Sequence, residues 1–474
     1  MSSMVLHYFE EISKIPHISF HEKELSDYCV AFAKERGLEC YQDEMYNVVI
    51  IKEATEGYED VPAIIIQGHL DMVGDKTADC TIDMEKEPIR LLQDGDYLTA
   101  DGTTLGGDDG IAVAYALAIL DAKDLAHPRV EVVLTVSEEV GLLGATGIDL
   151  SMCKGRRLIN IDSEEEGIIT AGCAGGIRAL CEIPLGREHQ EGICCMLSVT
   201  GLLGGHSGIS IGLGRANGNL LMGRFLLQLK GKLSYHLDNI QGGVKDNVIP
   251  KDAVAEIIIH KEDYPILEEQ AALFNQYVQA EYGVTDPDIR LTILKKDMGV
   301  YFPLTTLEQE KVLTALNLMP NGVQTMSADI EGLVETSLNM GVAKLQGETL
   351  ELDFALRSSV PSAKEMLVNK VCQLTEMLGG KTTLHGDYPA WVYDRESKFR
   401  ELCMDIYREM YGEEAQVEII HAGLECGILS NKLPGLECIS IGPNMYDVHT
   451  PYERISISSV ARVWEYLKRI LENR

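Results

Sequence analysis

Hydrophobic and polar positions change their period twice along the chain. Up to about residue 185, short β-branched runs at Asn47–Lys52, Ala63–Ile66, Val130–Val136 and Leu158–Ile161 alternate with a helix-length apolar segment, Gly110–Ala122. Uninterrupted apolar runs of this kind belong to strands buried on both faces, so this region predicts a mixed or parallel sheet flanked by helices. From about 188 to 387 the texture shifts to strand-like alternation at Ala253–Ile259 and Thr349–Leu356, between amphipathic stretches at 214–230, 262–281, 307–316 and 361–378. That combination predicts an α+β unit. Beyond Pro389 a helix at Glu396–Tyr411, a strand at Gln416–Ile420 and a last helix at 458–472 restore the first texture. The expected organisation is an α/β domain formed by residues 1–187 and 388–474, interrupted by an α+β insert at 188–387. Neither a solenoid period nor a low-complexity tract is present.

Composition narrows the function classes. With 45% hydrophobic and 24% charged residues over 474 positions, the chain is of the folding, globular kind and long enough for two cores. Lys and Arg number 41 against 74 Asp and Glu, a net charge of −33 that repels nucleic-acid backbones and anionic lipid while favouring divalent cations. No nucleic acid and no membrane are therefore expected as partners. The longest strongly apolar run, Ile111–Leu120, is too short to span a bilayer, and the start lacks the basic and apolar regions of a secretory signal. Twelve scattered cysteines without a zinc-knuckle spacing read as reduced thiols, which predicts a cytoplasmic protein.

Five polar clusters stand out, several of them immediately after apolar runs, where open α/β sheets place their ligands. His69 and Asp71 share one face at the end of the Ile64 strand, by the period of two. Asp108 and Asp109, after two glycines, open a helix; adjacent carboxylates repel unless helix N–H groups or a metal ion lie between them, and a plain N-cap is the alternative. Glu138 and Glu139 end the Val132 run on opposite sides of an extended segment, so one can face a metal and the other a substrate. Asp162 follows Leu158–Ile161, and His449 stands just before a proline that holds the backbone extended. Each cluster alone is equally a satisfied core histidine, a turn residue or an acidic strand end. Two imidazoles and three carboxylates together form the ligand set of paired divalent ions, which polarise a carbonyl and bring a bridging water's pKa toward neutrality while a nearby glutamate moves the proton.

The motifs Gly68-His-Leu-Asp-Met-Val73, Leu105-Gly-Gly-Asp-Asp-Gly110, Ser137-Glu-Glu-Val-Gly141, Asn160-Ile-Asp-Ser-Glu164, Gly204-Gly-His-Ser-Gly208, His421-Ala-Gly-Leu-Glu-Cys-Gly427 and Val448-His-Thr-Pro451 recur in order along nearly the whole chain. In these motifs the sequence resembles the co-catalytic zinc exopeptidases, the family of carnosinases, aminoacylases and tripeptidases, and within it the bacterial aminoacyl-histidine dipeptidase branch. The resemblance implies a zinc-exopeptidase-like catalytic domain interrupted by a lid and dimerisation domain, and a homodimer. It implies two Zn2+ per subunit, with Asp108 bridging, His69 and Asp162 completing one site, and Glu139 and His449 the other. Mn2+ or Co2+ also suit such donors. Glu138 becomes the general base toward a hydroxide between the zincs, and Asp71 orients His69. His206 matches a lid histidine that holds the oxyanion, while Asn247, Arg357, Gly423 and Glu425 match positions that contact the substrate. The peptide after the bridging aspartate is cis in that family. One departure stands out: the branch often has Asp-Asn where this chain has Asp108-Asp109, adding a charge beside the bridge. The implied substrates are unblocked dipeptides, β-alanyl-histidine types included. Another amide hydrolase of the family and a non-catalytic metal-binding protein on the same fold are the alternatives.

Overall fold

The computed structural model describes residues 4–474, which divide into two compact units. The first comprises the described residues up to Gly172, Tyr393–Ile419 and Leu424–Arg474, and the second comprises Cys173–Val392 with Ile420–Gly423. The crossing points differ from the expected 187/188 and 387/388. At the first crossing the strand Gly175–Pro184 pairs antiparallel along its whole length with Thr349–Ser358 and so belongs to the second unit's sheet; at the second, the ladder of Lys381–Tyr388 with that strand and the Cys173–Trp391 bridge keep the chain in that unit as far as Val392.

An eight-stranded mixed sheet runs through the first unit. At its centre Val130–Thr135, Ile64–His69, Arg157–Asn160 and Glu437–Ser440 are mutually parallel, with antiparallel neighbours at Val48–Lys52 and Ile168–Cys173. Ile64, Ile65 and Ile66 are at most 3% exposed, as expected of strands covered on both faces. The helix Gly107–Asp121 is apolar all round because it is fully enclosed, with every residue from Ile111 to Ile119 at 1% exposure or less. Gly68 explains how its start lies so near the His69 strand: a Cβ there would stand 2.3 Å from Ala112 Cβ and 2.6 Å from an Asp109 carboxylate oxygen. Three of the parallel strands point their carboxyl ends the same way, toward His69, the Glu138 segment and Asp162. A small four-stranded sheet, absent from the sequence expectation, joins Leu91–Asp94, Tyr97–Ala100, Arg454–Ser456 and Met445–Tyr446. The loop between its last two strands carries His449.

The second unit is built on a nine-stranded antiparallel sheet with the order Arg290–Tyr301, Gln190–Thr200, Ala253–Ile259, Tyr235–Gly242, Val334–Gln346, Thr349–Ser358, Gly175–Pro184, Lys381–Tyr388, and with Gly322–Met326 also paired to Val334–Gln346. Ala253, Ala255, Ile257 and Ile259 line the buried side with period two, in one core with Phe225 and Phe274 from the helices Gly218–Leu229 and Tyr264–Tyr282. Asn217 caps the first of these helices by accepting from the amides of Asn219 and Leu220. No helix among the described residues is long and apolar enough to cross a membrane.

Candidate metal centre

His69 ends a central strand of the first unit at 1% exposure. Its Nδ1 lies 2.9 Å from the main-chain oxygen of Asp71, which fixes the ring so that Nε2 faces outward from the strand end. That Nε2 is 3.0 Å from Asp108 Oδ1 and 3.8 Å from Asp162 Oδ1. From the other direction His449 Nε2 comes within 3.0 Å of Asp108 Oδ2 and 2.8 Å of Glu139 Oε1. Asp108 therefore presents one carboxylate oxygen to each imidazole. Three overlapping donor groups result, His69–Asp109–Asp162, His69–Glu138–Glu139 and Asp108–Glu139–His449, each with its ligand atoms within 4.8 Å of one another. The Asp108–Asp109 peptide is cis.

The glutamate pair is not the extended strand end that alternation suggests. The strand stops at Thr135, and Ser137 adopts φ +52°. Glu22, 4% exposed, accepts from the Ser137 amide at 2.9 Å and from its hydroxyl at 2.8 Å, holding the chain in that turn. Asp71 then accepts from the amide of Glu138 at 2.9 Å and of Glu139 at 3.3 Å, and from the Ser19 hydroxyl at 2.9 Å. It orients His69 through its carbonyl, while its carboxylate sets the backbone of the two glutamates. A further acid, Glu453, accepts from four successive amides: Leu105 at 2.8 Å, Gly106 at 3.1 Å, Gly107 at 2.8 Å and Asp108 at 3.3 Å. Glu22 and Glu453 were not singled out from the sequence, although Glu453 lies four positions after His449, within the same loop motif.

Six carboxyl groups, those of Asp108, Asp109, Glu138, Glu139, Asp162 and Glu425, gather around two imidazoles. Burial pushes the Glu138 carboxyl well above its usual range, and Glu425, Glu139 and Asp108 add to this. Asp162 is raised by burial and by Asp108, and Asp109 by burial and by Asp162. Burial alone would lower His69, but its hydrogen bonds to Asp108 and Asp71 outweigh burial and hold the imidazole well above its ordinary value. His449 is likewise carried up to about 11 by Asp108 and Glu139 against the effect of burial. Asp109 Oδ1 is buried with no hydrogen-bond partner. Such a surplus of enclosed negative charge, with imidazole nitrogens interleaved, suits two divalent cations.

The remaining predicted positions divide between the units. In the second, His206 sits on a two-residue strand paired with Val248–Ile249, its Nε2 3.5 Å from Arg357 Nη2. Arg357 Nη1 donates to the Tyr388 hydroxyl at 2.7 Å, and Ser337, directly opposite Arg357 in the ladder, meets His421 Nε2 at 2.7 Å. Burial and the guanidinium of Arg357 bring both His206 and His421 down to about 4. Asn247 accepts from the Ser207 amide through its main-chain oxygen at 2.9 Å, and a Cβ on Gly423 would stand 2.8 Å from the Tyr388 ring. Glu425 belongs to the first unit, where it is fully buried and accepts from Gln67 at 2.5 Å and Thr135 at 2.6 Å, its carboxyl raised by burial to about 7.

Residues 65–473 match peptidase family M20/M25/M40. The chain is 36% identical to cytosol non-specific dipeptidase of Escherichia coli (strain K12) over 98% of its own length and 96% of that protein. Its fold is similar to the crystal structure of aminoacylhistidine dipeptidase from Vibrio alginolyticus, with a TM-score of 0.91 and 35% identity over 99% of this chain and 96% of the other. Aminopeptidase PepT from Bacillus cereus shares the fold at a TM-score of 0.58 and 14% identity, covering 99% and 97% of the two chains.

Proposed function

The chain belongs to peptidase family M20/M25/M40, and on that premise we propose that it hydrolyses unblocked dipeptides, Xaa-His and β-alanyl-histidine types among them, with two zinc ions. His69 and Asp162 would hold one ion, Glu139 and His449 the other, and Asp108 both. Bound there, the pair would supply Lewis acidity toward the scissile carbonyl and make water a nucleophile at neutral pH.

The chain's own residues handle position and protons. Glu138 takes a proton from water and delivers it to the leaving amine nitrogen; its buried, raised carboxyl suits both directions of transfer near neutrality. Asp71 and Glu22 keep the Glu138 backbone in the one conformation that serves this transfer. In the second unit, the Arg357 fork with neutral His421 nearby is the partner for a substrate carboxylate, and His206, also held neutral, keeps the oxyanion-holding role that the resemblance implies. A cytoplasmic homodimer completes this reading. Its main support is Asp108, set with an oxygen 3.0 Å from each of two imidazoles and beside a buried glutamate. Replacing Glu138 by Gln is expected to leave two zinc ions per chain by elemental analysis and to cut dipeptide turnover at least ~100-fold. Turnover at the wild-type level would reject Glu138 as the base, and preference for N-acetylated over free dipeptides would move the assignment to an acylase.

A further inference from the structure

We propose that Glu453 is the positioning residue that assembles the His449 half of the metal centre, by clasping the amides of Leu105 to Asp108 from the loop that carries His449. The inference rests on the dinuclear reading above.

In sequence Glu453 resembles a solvated loop acid, yet it is 2% exposed. Oε2 receives the amides of Leu105 and Gly106, and Oε1 those of Gly107 and Asp108. Consecutive amides turned to one side form a concavity for an anion, and here the chain fills it with its own carboxylate. Two features of the partner segment make room. Gly106 adopts φ +70°, and a Cβ on Gly107 would stand only 3.0 Å from Glu453 Oε1. The last of the four amides is that of Asp108 itself, so Glu453 fixes the start of the residue that faces both imidazoles.

The two imidazoles differ in what holds them. His69 ends a central strand, 1% exposed, with its ring fixed through Nδ1. His449 has a side chain 48% exposed on a loop, with φ +63°, outside the ladder of any sheet. Packing cannot position such a ring. The loop does so through the Thr450 hydroxyl donating to the Asp447 carbonyl at 2.7 Å, the Arg454–Asp447 ion pair at 2.5 Å, and Glu453. Among these ties only Glu453 reaches Asp108, 345 residues away in sequence. Releasing it should let His449 and Asp108 separate while His69 and Asp162 stay in place on their strand ends.

Glu453→Gln keeps the size of the side chain but turns an NH2 group toward two of the amides, which have no acceptor left. Metal-free wild type and variant are titrated with zinc against a competing chelator, and amide hydrogen exchange of the 105–108 segment is followed in the metal-free proteins. The expected result is two ions in the wild type, and in E453Q one ion of near wild-type affinity with the second weakened about 10- to 100-fold. Faster exchange at 105–108 in the variant accompanies it. Wild-type affinity for both ions in folded E453Q, or equal weakening of both, overturns the proposal. Should E453Q not fold, E453D is titrated in its place; its shorter tether cannot span four amides, and two wild-type affinities there overturn the proposal equally. A wild-type protein that takes up no ion pair removes the dinuclear reading and this inference together, whereas two ions in wild type and unchanged E453Q remove this inference alone.

Discussion

Two groups of histidines in this chain face opposite electrostatic surroundings. In the first unit His69 and His449 are encircled by carboxylates, which raise the imidazoles and leave a net negative pocket. In the second, half-buried His206 and buried His421 lie near Arg357, and both are lowered to about 4. The first arrangement can accept cations and cannot hold an anion; the second keeps its imidazoles neutral at physiological pH and reserves positive charge for the guanidinium. One residue type thus serves two chemistries, and the sign of the neighbouring charge decides which.

The sharpest way to break this contrast is to remove charge from the first group without touching a donor to metal. Asp71→Asn keeps one acceptor oxygen and turns an NH2 toward one of the Glu138 and Glu139 amides, and kcat is expected to fall about 10- to 100-fold with KM little changed. A wild-type kcat would show that the carboxylate does not set the base. A smaller effect is expected in the second group. Arg357→Lys keeps the charge but loses the fork that also reaches Tyr388, so KM for dipeptides should rise about 10-fold while kcat changes less. Equal loss in kcat alone would assign Arg357 to the chemical step.

A third expected effect concerns stability. His421 is lowered from 6.5 to about 4, so the folded chain binds fewer protons than the unfolded one. The stability this provides is complete above the unfolded value and is lost as pH falls from 6.5 toward 4. Between pH 7.5 and 5 the cost is on the order of 2 kcal/mol, by the linkage of proton binding to folding. Urea midpoints for wild type and His421→Gln should converge at the lower pH. Parallel declines would mean that His421 is not buried neutral.

His69, the Glu138–Glu139 pair and Asp162 were readable because each comes shortly after a hydrophobic strand, and strand ends of parallel sheets are where the chain emerges toward a ligand, whereas Asp108 at a helix start and His449 on a loop were readable from the motifs around them. The central strands were readable for the same reason, from runs such as Ile64–Ile66 that nothing but double-sided burial explains. The supports were not readable. Glu22 and Glu453 act on backbone amides 115 and about 345 residues away, and no local pattern marks an acid that is to be buried by distant main chain. The turn at Ser137 was hidden as well, since a positive φ at a non-glycine residue is enforced by a partner, here Glu22, and not by its own propensity. The four-stranded sheet around Arg454–Ser456 escaped because strands of two to four residues are too short to show a period. In the second unit, the strand Gly175–Pro184 continues the texture of the preceding region, and only its ladder with Thr349–Ser358 reveals where it belongs.

Asp108 and His449 meet across a sequence separation of 341, with the whole of the second unit threaded between them. A ribosome must therefore translate past that unit before the second imidazole exists, and a polypeptide stalled anywhere earlier lacks it.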